Sequence, residues 1–160
     1  MILIQDNFLS SETCDLLIEY GNKNKHLFKP HNTMFDLPLA LIDKKITAKI
    51  GLLFCNYLGK KGIDAFWNRM QITKWPAGSE MDWHQDTAVP GTTCTSITYL
   101  NDEYGGGETV FDSGINITPK KGKAVFFDGI SYSHGVMPIT FGTRYCLATW
   151  FSEDLSKLDL

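Results

Sequence analysis

Four residues in the second half of the chain have the types and spacing of a metal-dependent oxidation site. His84 and Asp86 are separated by one residue, and Arg144 follows His134 by ten residues. Two His and one carboxylate form the facial triad of non-haem ferrous sites, which leaves open positions for a chelating co-substrate and dioxygen. Because alternate residues of a strand share a face, one strand can present His84 and Asp86 to one ion. The pattern predicts an iron site, with Arg144 holding a dicarboxylate co-substrate.

Each candidate side chain also has an ordinary structural interpretation. A single His in an apolar strand is more often a hydrogen-bonded core residue than a ligand, and Arg144 could pair with a surface carboxylate at a sheet edge. Tyr99, in TSITYLND, could donate its hydroxyl to the co-substrate or serve as a core aromatic. Trp150 could line the iron pocket or pack in the core. His26 and His31 lack partners at ligand spacing and are expected at the solvated surface.

Length and composition describe an ordinary globular protein. The 160 residues, 43% hydrophobic and 21% charged, are expected to form a single domain, residues 1–160, around one core. A net charge of -3 argues against nucleic acid as a partner. The chain starts without a signal-like pattern and has no apolar stretch of bilayer length, so a cytoplasmic protein without a membrane segment is expected. The four Cys have no zinc spacing and are expected as buried free thiols.

The first 62 residues are expected to be a helical support for the rest of the chain. One amphipathic helix should begin after Ser10 and end near Gly21, and a second should run from about Asp43 to Leu58. The segment between them, with Pro30 and Pro38, is expected to be a loop. The helical residues expected to face a core are Cys14, Leu17, Ile18, Tyr20, Ile46, Ile50, Leu53, Phe54 and Tyr57.

Residues 63–151 have a different sequence pattern, with short apolar runs separated by Gly, Pro and Asp. Eight short strands at this spacing predict a mainly β sandwich or jelly-roll core rather than a parallel α/β sheet. Glycines 105–107 are followed by no GK[ST] sequence, so a tight turn leading into a strand is favoured over a phosphate loop. The expected strands are Asn68–Trp75, Ser79–His84, Thr93–Leu100, Glu108–Phe111, Ile115–Ile117, Ala124–Asp128, Ser133–Val136 and Arg144–Phe151.

The stretch from Gln71 to Phe151 resembles the prolyl 4-hydroxylase-like branch of the iron(II)- and 2-oxoglutarate-dependent dioxygenases. The segments that carry the resemblance are WPAGSEMDWHQD, ITYLND, GGGETVF, PKKGKAVFFDG, SHGV and TRYCLATWF. The last of them, together with YLN, looks especially like the oxygen-sensing prolyl hydroxylases. The opening FLSSETCDLLIEY is also similar to the helix that commonly begins this branch. The implied fold is a double-stranded β-helix, a jelly roll with the site in its mouth.

The resemblance also implies a set of roles. His84, Asp86 and His134 would be the Fe(II) ligands, and Tyr99 and Arg144 would bind the distal carboxylate of 2-oxoglutarate. Three positions depart from the family pattern. Trp75 stands where many relatives have Tyr, Met81 replaces an aromatic residue three positions before the first ligand, and Cys146 stands where other branches often place Ser.

The implied reaction is hydroxylation by dioxygen with release of succinate and CO₂ from 2-oxoglutarate, with ascorbate as a supporting reductant. The family analogy favours a prolyl residue in a peptide or protein as substrate. A free amino acid, another side chain or a nucleobase is the alternative within the same enzyme class. Outside that class, the chain could be a non-catalytic module that senses iron or 2-oxoglutarate.

Overall fold

The structure is a computed structural model that describes residues 1–159. Within that range it contains two α-helices, α1 at Ser11–Lys23 and α2 at Lys44–Lys60. The thirteen strands of the same range, β1 to β13 in chain order, are Ile2–Gln5, Lys29–His31, Met34–Pro38, Phe66–Pro76, Met81–His84, Cys94–Tyr99, Gly105–Gly106, Thr109–Phe111, Asn116–Ile117, Ala124–Phe127, His134–Val136, Ile139–Phe141 and Thr143–Ser152.

The strands of residues 1–159 form a large sheet, a smaller sheet and a two-stranded ribbon, all paired antiparallel. The large sheet has the order β1-β10-β6-β13-β4-β3-β2, the smaller one β5-β11-β8-β9, and the ribbon β12-β7. Most strands that lie side by side from β1 to β4 of the large sheet, in the order β1-β10-β6-β13-β4, are distant in sequence, as in a jelly roll. The predicted mainly β jelly roll with N-terminal helices is therefore confirmed, and each of the eight expected strands is present within a few residues of its predicted bounds.

Both helices start at side-chain caps and pack on the outer face of the large sheet. The Ser10 hydroxyl accepts a hydrogen bond from the Thr13 amide, and the Asp43 carboxylate accepts from two amides of the first turn of α2. The alternation of β4 places Met70 and Ile72 in the core shared with the helices. Gln71 and Thr73 consequently face the other side of the sheet, toward a cavity.

The N-terminal region differs from the expected helical support. The segment with Pro30 and Pro38 forms β2 and β3, and β1 adds a strand at the opposite edge of the large sheet. The loop expectation was wrong because Pro30 lies in the edge strand, where a missing amide donor is tolerated. The first helix continues through the buried Gly21 to Lys23.

The predicted buried face of α2 was wrong at one position. Leu53 is 43% exposed, whereas Ile50 and Phe54 of the same helix lie in the core. The four Cys are free thiols, and Cys14, Cys94 and Cys146 are buried as expected, while Cys55 is half-buried. No helix within residues 1–159 is long and apolar enough to cross a membrane.

Candidate metal centre and anion pocket

Two neighbouring strands of the smaller sheet bring His84 and His134 side by side. His84 is the last residue of β5, and it lies directly opposite His134, the first residue of β11. Their ring centroids are 4.3 Å apart. A bulge in β5 shifts the register between this pair and the pairing of Met81 with Val136. As a result both Met81 and His84 line the cavity, although they are three positions apart.

Backbone contacts orient both imidazole rings in the same way. Nδ1 of His84 lies 2.9 Å from the Asp82 carbonyl oxygen, and Nδ1 of His134 lies 3.1 Å from the Tyr132 carbonyl oxygen. Because a carbonyl oxygen only accepts, each Nδ1 donates this hydrogen bond, and each Nε2 is the ring nitrogen on the side of Asp86. Burial lowers the pKa of His134, with the nearby Asp86 opposing that effect. Both Nε2 atoms are therefore placed to act as metal ligands, and burial favours the neutral form of the His134 ring.

Asp86 completes the cluster from a loop rather than from the strand of His84. It follows β5 by two residues, and its amide donates to the Gly129 carbonyl at 2.8 Å. Its carboxylate oxygens lie 4.0 Å from Nε2 of His84 and 3.7 Å from Nε2 of His134. The donor atoms of all three residues lie within 4.8 Å of one another. The expectation that one strand presents both ligands was wrong, since the loop turns Asp86 toward the ion position.

Two residues that sequence reasoning missed hold Asp86 in place. The Thr95 hydroxyl donates to the Asp86 carboxylate at 2.6 Å, and both side chains are buried. A Cβ at Gly129 would collide with the same carboxylate and with the Thr95 hydroxyl. Gly129 follows the predicted strand Ala124–Asp128, but the sequence contains no signal for its contact with Asp86.

Arg144 is buried in the cavity and is not an edge residue. It is 1% exposed, and it lies on β13 directly opposite Trp75 of β4. Its guanidinium carbon lies 5.0 Å from the centre of the Trp75 ring and 5.3 Å from that of Tyr99. One guanidinium nitrogen donates to the Thr109 hydroxyl at 3.2 Å, whereas Nε has no hydrogen-bond partner within residues 1–159. The alternative of a surface ion pair was wrong, because Arg144 pairs with no carboxylate among residues 1–159.

Hydroxyl groups surround this buried cation. The Tyr99 hydroxyl lies 2.6 Å from that of Thr109, which also contacts Arg144. Tyr104 is buried beside them with its hydroxyl unpaired in the structure, and burial raises the pKa of this phenol. A Cβ at Gly107, which has φ +72°, would overlap Ile139 and Tyr104 and would crowd the Arg144 side chain. Thr109 and Tyr104 were not anticipated, although both lie within or beside the GGGET segment.

One cavity of about 200 Å³ joins the His84, Asp86 and His134 cluster to Arg144. Trp150 lines it as a half-buried side chain. Trp75 also lines it, and its indole N–H donates to the Thr73 hydroxyl at 3.0 Å. Because this N–H already donates to Thr73, Trp75 contributes mainly the apolar surface of its ring to the cavity wall.

The remaining candidates lie outside the cluster. His26 and His31 are exposed, as expected, but His31 lies at the cavity and contacts Asp36 at 3.4 Å. Gly105 and Gly106 form the short strand β7, which pairs with β12, instead of only a turn. They build no phosphate loop, in line with the missing GK[ST] sequence.

The comparisons with known proteins identify the family. The model of the 2OG-Fe(II) oxygenase superfamily matches residues 70–152, which is more than half of the chain. The chain therefore belongs to this superfamily of dioxygenases, which use Fe(II), 2-oxoglutarate and dioxygen. Mouse (Mus musculus) prolyl 3-hydroxylase 2 is 32% identical over 79 residues, covering 45% of this chain and 11% of the relative. The match thus spans about a tenth of that curated relative.

Solved structures of prolyl hydroxylases share the fold over nearly the whole chain. A viral collagen prolyl hydroxylase from Paramecium Bursaria Chlorella virus-1, solved with 2OG, is 24% identical with a TM-score of 0.78, covering 94% of each chain. A prolyl hydroxylase from Trichoplax adhaerens, solved with a hypoxia inducible factor peptide, is 16% identical with a TM-score of 0.76 and covers 95% of this chain and 83% of that chain. At these identities the likeness concerns the fold.

The residues present fit the cofactors of the family. Two imidazoles and one carboxylate are the donor set of a non-haem ferrous centre. A fully buried guanidinium without a carboxylate partner among residues 1–159 is costly unless an anion joins it. Its unpaired Nε is an orphaned donor of the kind that a dicarboxylate would satisfy.

Proposed function

We propose that this protein hydroxylates a prolyl residue in a peptide or protein, with 2-oxoglutarate as co-substrate. The observation that carries the proposal is a single cavity with the His84, Asp86 and His134 cluster in one part and the unpaired Arg144 guanidinium in another. A structural ion pair would explain neither feature. A metal ion and an anion that chelates it explain both.

In this proposal His84, Asp86 and His134 hold the iron through two Nε2 atoms and one carboxylate. The bound metal, with dioxygen and 2-oxoglutarate, supplies the oxidising chemistry of hydroxylation, and succinate and CO₂ are released. The Asp82 and Tyr132 carbonyls keep the imidazole lone pairs directed at the ion position.

Arg144 would bind the distal carboxylate of 2-oxoglutarate with its planar fork. The Tyr99 and Thr109 hydroxyls form a connected pair beside it and can add hydrogen bonds to the same carboxylate. The rings of Trp75 and Trp150 line the cavity and would limit the access of water to the co-substrate. Arg144 and the two hydroxyls would therefore orient the co-substrate without contacting the metal.

The choice of a peptidyl proline rests on the relatives. The similar proteins are named prolyl hydroxylases, and the Trichoplax adhaerens protein was solved with a peptide fragment. The exposed Trp83, beside His84 on β5, offers an aromatic surface near the site for an extended segment. A peptide or protein partner is therefore proposed.

The test is mass spectrometry of a panel of proline-containing peptides incubated with the protein, Fe(II), 2-oxoglutarate and ascorbate. We expect at least one peptide to gain the mass of one oxygen atom, with fragmentation placing it on proline and with succinate formed in equal amount. Asp86→Ala serves as the control and should form neither product. Addition of oxygen to another residue type, or to free amino acids alone, would contradict the prolyl assignment. Tight binding of 2-oxoglutarate without any succinate would favour a sensor module.

A further inference from the structure

We infer that Arg69 binds a carboxylate of the substrate at the mouth of the cavity; this inference rests on the proposed hydroxylase function. Arg69 is an exposed residue on the cavity-facing side of β4, and it lines the same cavity as the metal cluster. Arg144 is the other arginine of the chain. The cavity is thus lined by two guanidinium groups, a buried one and an accessible one.

The strand register places Arg69 at the level of the metal cluster and far from Arg144. Arg69 lies opposite Trp150 on β13, and Trp150 lies opposite Thr95 on β6, whose hydroxyl holds Asp86. Two strand spacings separate the backbones of Arg69 and Thr95, which is about 10 Å. Trp75, opposite Arg144, is six residues further along β4, about 20 Å at the rise of a strand. Arg69 therefore cannot share the carboxylate assigned to Arg144.

Neighbouring side chains hold the Arg69 guanidinium in a defined position. Its Nε donates to the Gln71 side-chain oxygen at 3.0 Å, and its guanidinium carbon lies 5.8 Å from the centre of the Trp150 ring. Within residues 1–159 the two terminal nitrogens form no hydrogen bond with another side chain, so they can still donate to a ligand. A guanidinium held by one hydrogen bond and a ring is partly ordered before a ligand arrives, which reduces the entropy lost on binding.

No carboxylate within residues 1–159 forms an ion pair with Arg69. Asp86 is held by Thr95, and Asp36 contacts His31. Burial raises the pKa of Asp159, and the charge of Arg69 opposes that rise only in part, as expected for two groups that are near each other without contact. The planar fork is thus available for a bidentate contact with a carboxylate of the substrate.

Two sources of that carboxylate are distinguishable with four probes. Free L-proline and L-prolinamide differ in the α-carboxylate, and blocked peptides with glutamate or glutamine next to proline differ in a side-chain carboxylate. Binding is measured by calorimetry on protein loaded with Zn(II) and 2-oxoglutarate, because Zn(II) has no redox chemistry and the complex does not turn over.

We expect the protein to bind the acidic member of one pair about tenfold more tightly than its neutral partner. In Arg69→Gln that ratio should fall below about twofold, and Arg69→Lys should keep part of it, while 2-oxoglutarate affinity stays within about twofold of the parent in both. Lys74→Gln, which removes a cation from the opposite face of the same strand, is the matched control and should keep the full preference.

Three results would overturn the role of Arg69: no preference within either pair, a preference that persists in Arg69→Gln, or no binding of any probe by the parent. The pair that shows the preference identifies the carboxylate as that of a free amino acid or of an acidic side chain. The proposed function is read separately, from the gain of oxygen and the formation of succinate with Fe(II). If no oxygen were transferred and no succinate formed, the ratios of binding affinity would still test the role of Arg69.

Discussion

Replacement of Arg144 by Met separates a binding residue from a structural one. The Arg144 guanidinium is buried at 1% exposure, has no carboxylate partner within residues 1–159, and makes one hydrogen bond, to Thr109. Met has a similar length and no charge to desolvate. Replacing a buried charge with an apolar residue of similar volume is often neutral or stabilising by about 1–4 kcal/mol. The lost contacts with the rings of Trp75 and Tyr99 offset about 1–2 kcal/mol of that gain.

We therefore expect Arg144→Met, without ligand, to have a free energy of unfolding no more than about 1 kcal/mol below that of the parent. Its affinity for 2-oxoglutarate should fall about a hundredfold, because the ligand carboxylate would be buried without its charge partner. At a 2-oxoglutarate concentration of about 100 times the parent Kd, ligand binding stabilises the parent by about 2.7 kcal/mol and the variant by about 0.4 kcal/mol.

The assay is thermal unfolding with and without 2-oxoglutarate, at fixed Zn(II). For a chain of this size 1 kcal/mol corresponds to about 2–4 °C, so the ligand should raise the Tm of the parent by roughly 5–11 °C and that of Arg144→Met by less than about 2 °C. The reasoning would be refuted if the unliganded variant lost about 3 kcal/mol or more, as when a buried ion pair is broken. It would also be refuted if 2-oxoglutarate raised the Tm of Arg144→Met as much as that of the parent.

Three further substitutions test other contacts. Gly129→Ala should weaken Zn(II) binding at least about tenfold by calorimetry with the fold retained, because the new Cβ displaces the Asp86 carboxylate; unchanged affinity would remove Gly129 from the site. Thr109→Val should weaken 2-oxoglutarate binding by about three- to tenfold, because it removes the hydroxyl next to Arg144; an effect on metal binding instead would contradict this placement. Gly51→Ala should lower the free energy of unfolding by about 1–3 kcal/mol in urea, because its Cβ would overlap the Trp67 ring; a gain of stability from helix propensity alone would contradict the packing of α2.

The sequence predicted the elements that carry a regular pattern. The β4 strand alternates apolar and polar residues from Met70 to Thr73, β13 contains the apolar run from Tyr145 to Ala148, and the caps at Ser10 and Asp43 mark both helix starts. The β2–β3 hairpin was missed because its prolines resemble loop residues, while Asn32 at φ +53° makes the turn that connects the two strands. This segment forms strands because it pairs at the edge of the large sheet, and that tertiary position cannot be inferred from the local sequence pattern.

The sequence indicated which residue types form the candidate site, but it did not indicate the contacts that hold them in position. His84 and His134 meet through strand pairing across fifty positions, which no local pattern specifies. Asp86 depends on Thr95, nine residues away, and on Gly129, and Arg144 depends on Thr109; the last two contacts join segments distant in sequence. Residue chemistry indicated which side chains could act, and only the fold shows what holds them.

Calorimetry of 2-oxoglutarate binding to the Fe(II)-loaded protein without oxygen is the most direct test of the central claim, that one cavity holds both the metal and the co-substrate. We predict binding at one site that weakens at least about tenfold when the metal is removed or when His134 is changed to Ala, and about a hundredfold in Arg144→Ala. Arg144→Ala should still bind one equivalent of Fe(II). Binding of 2-oxoglutarate with the same affinity in the presence and absence of metal would contradict the claim.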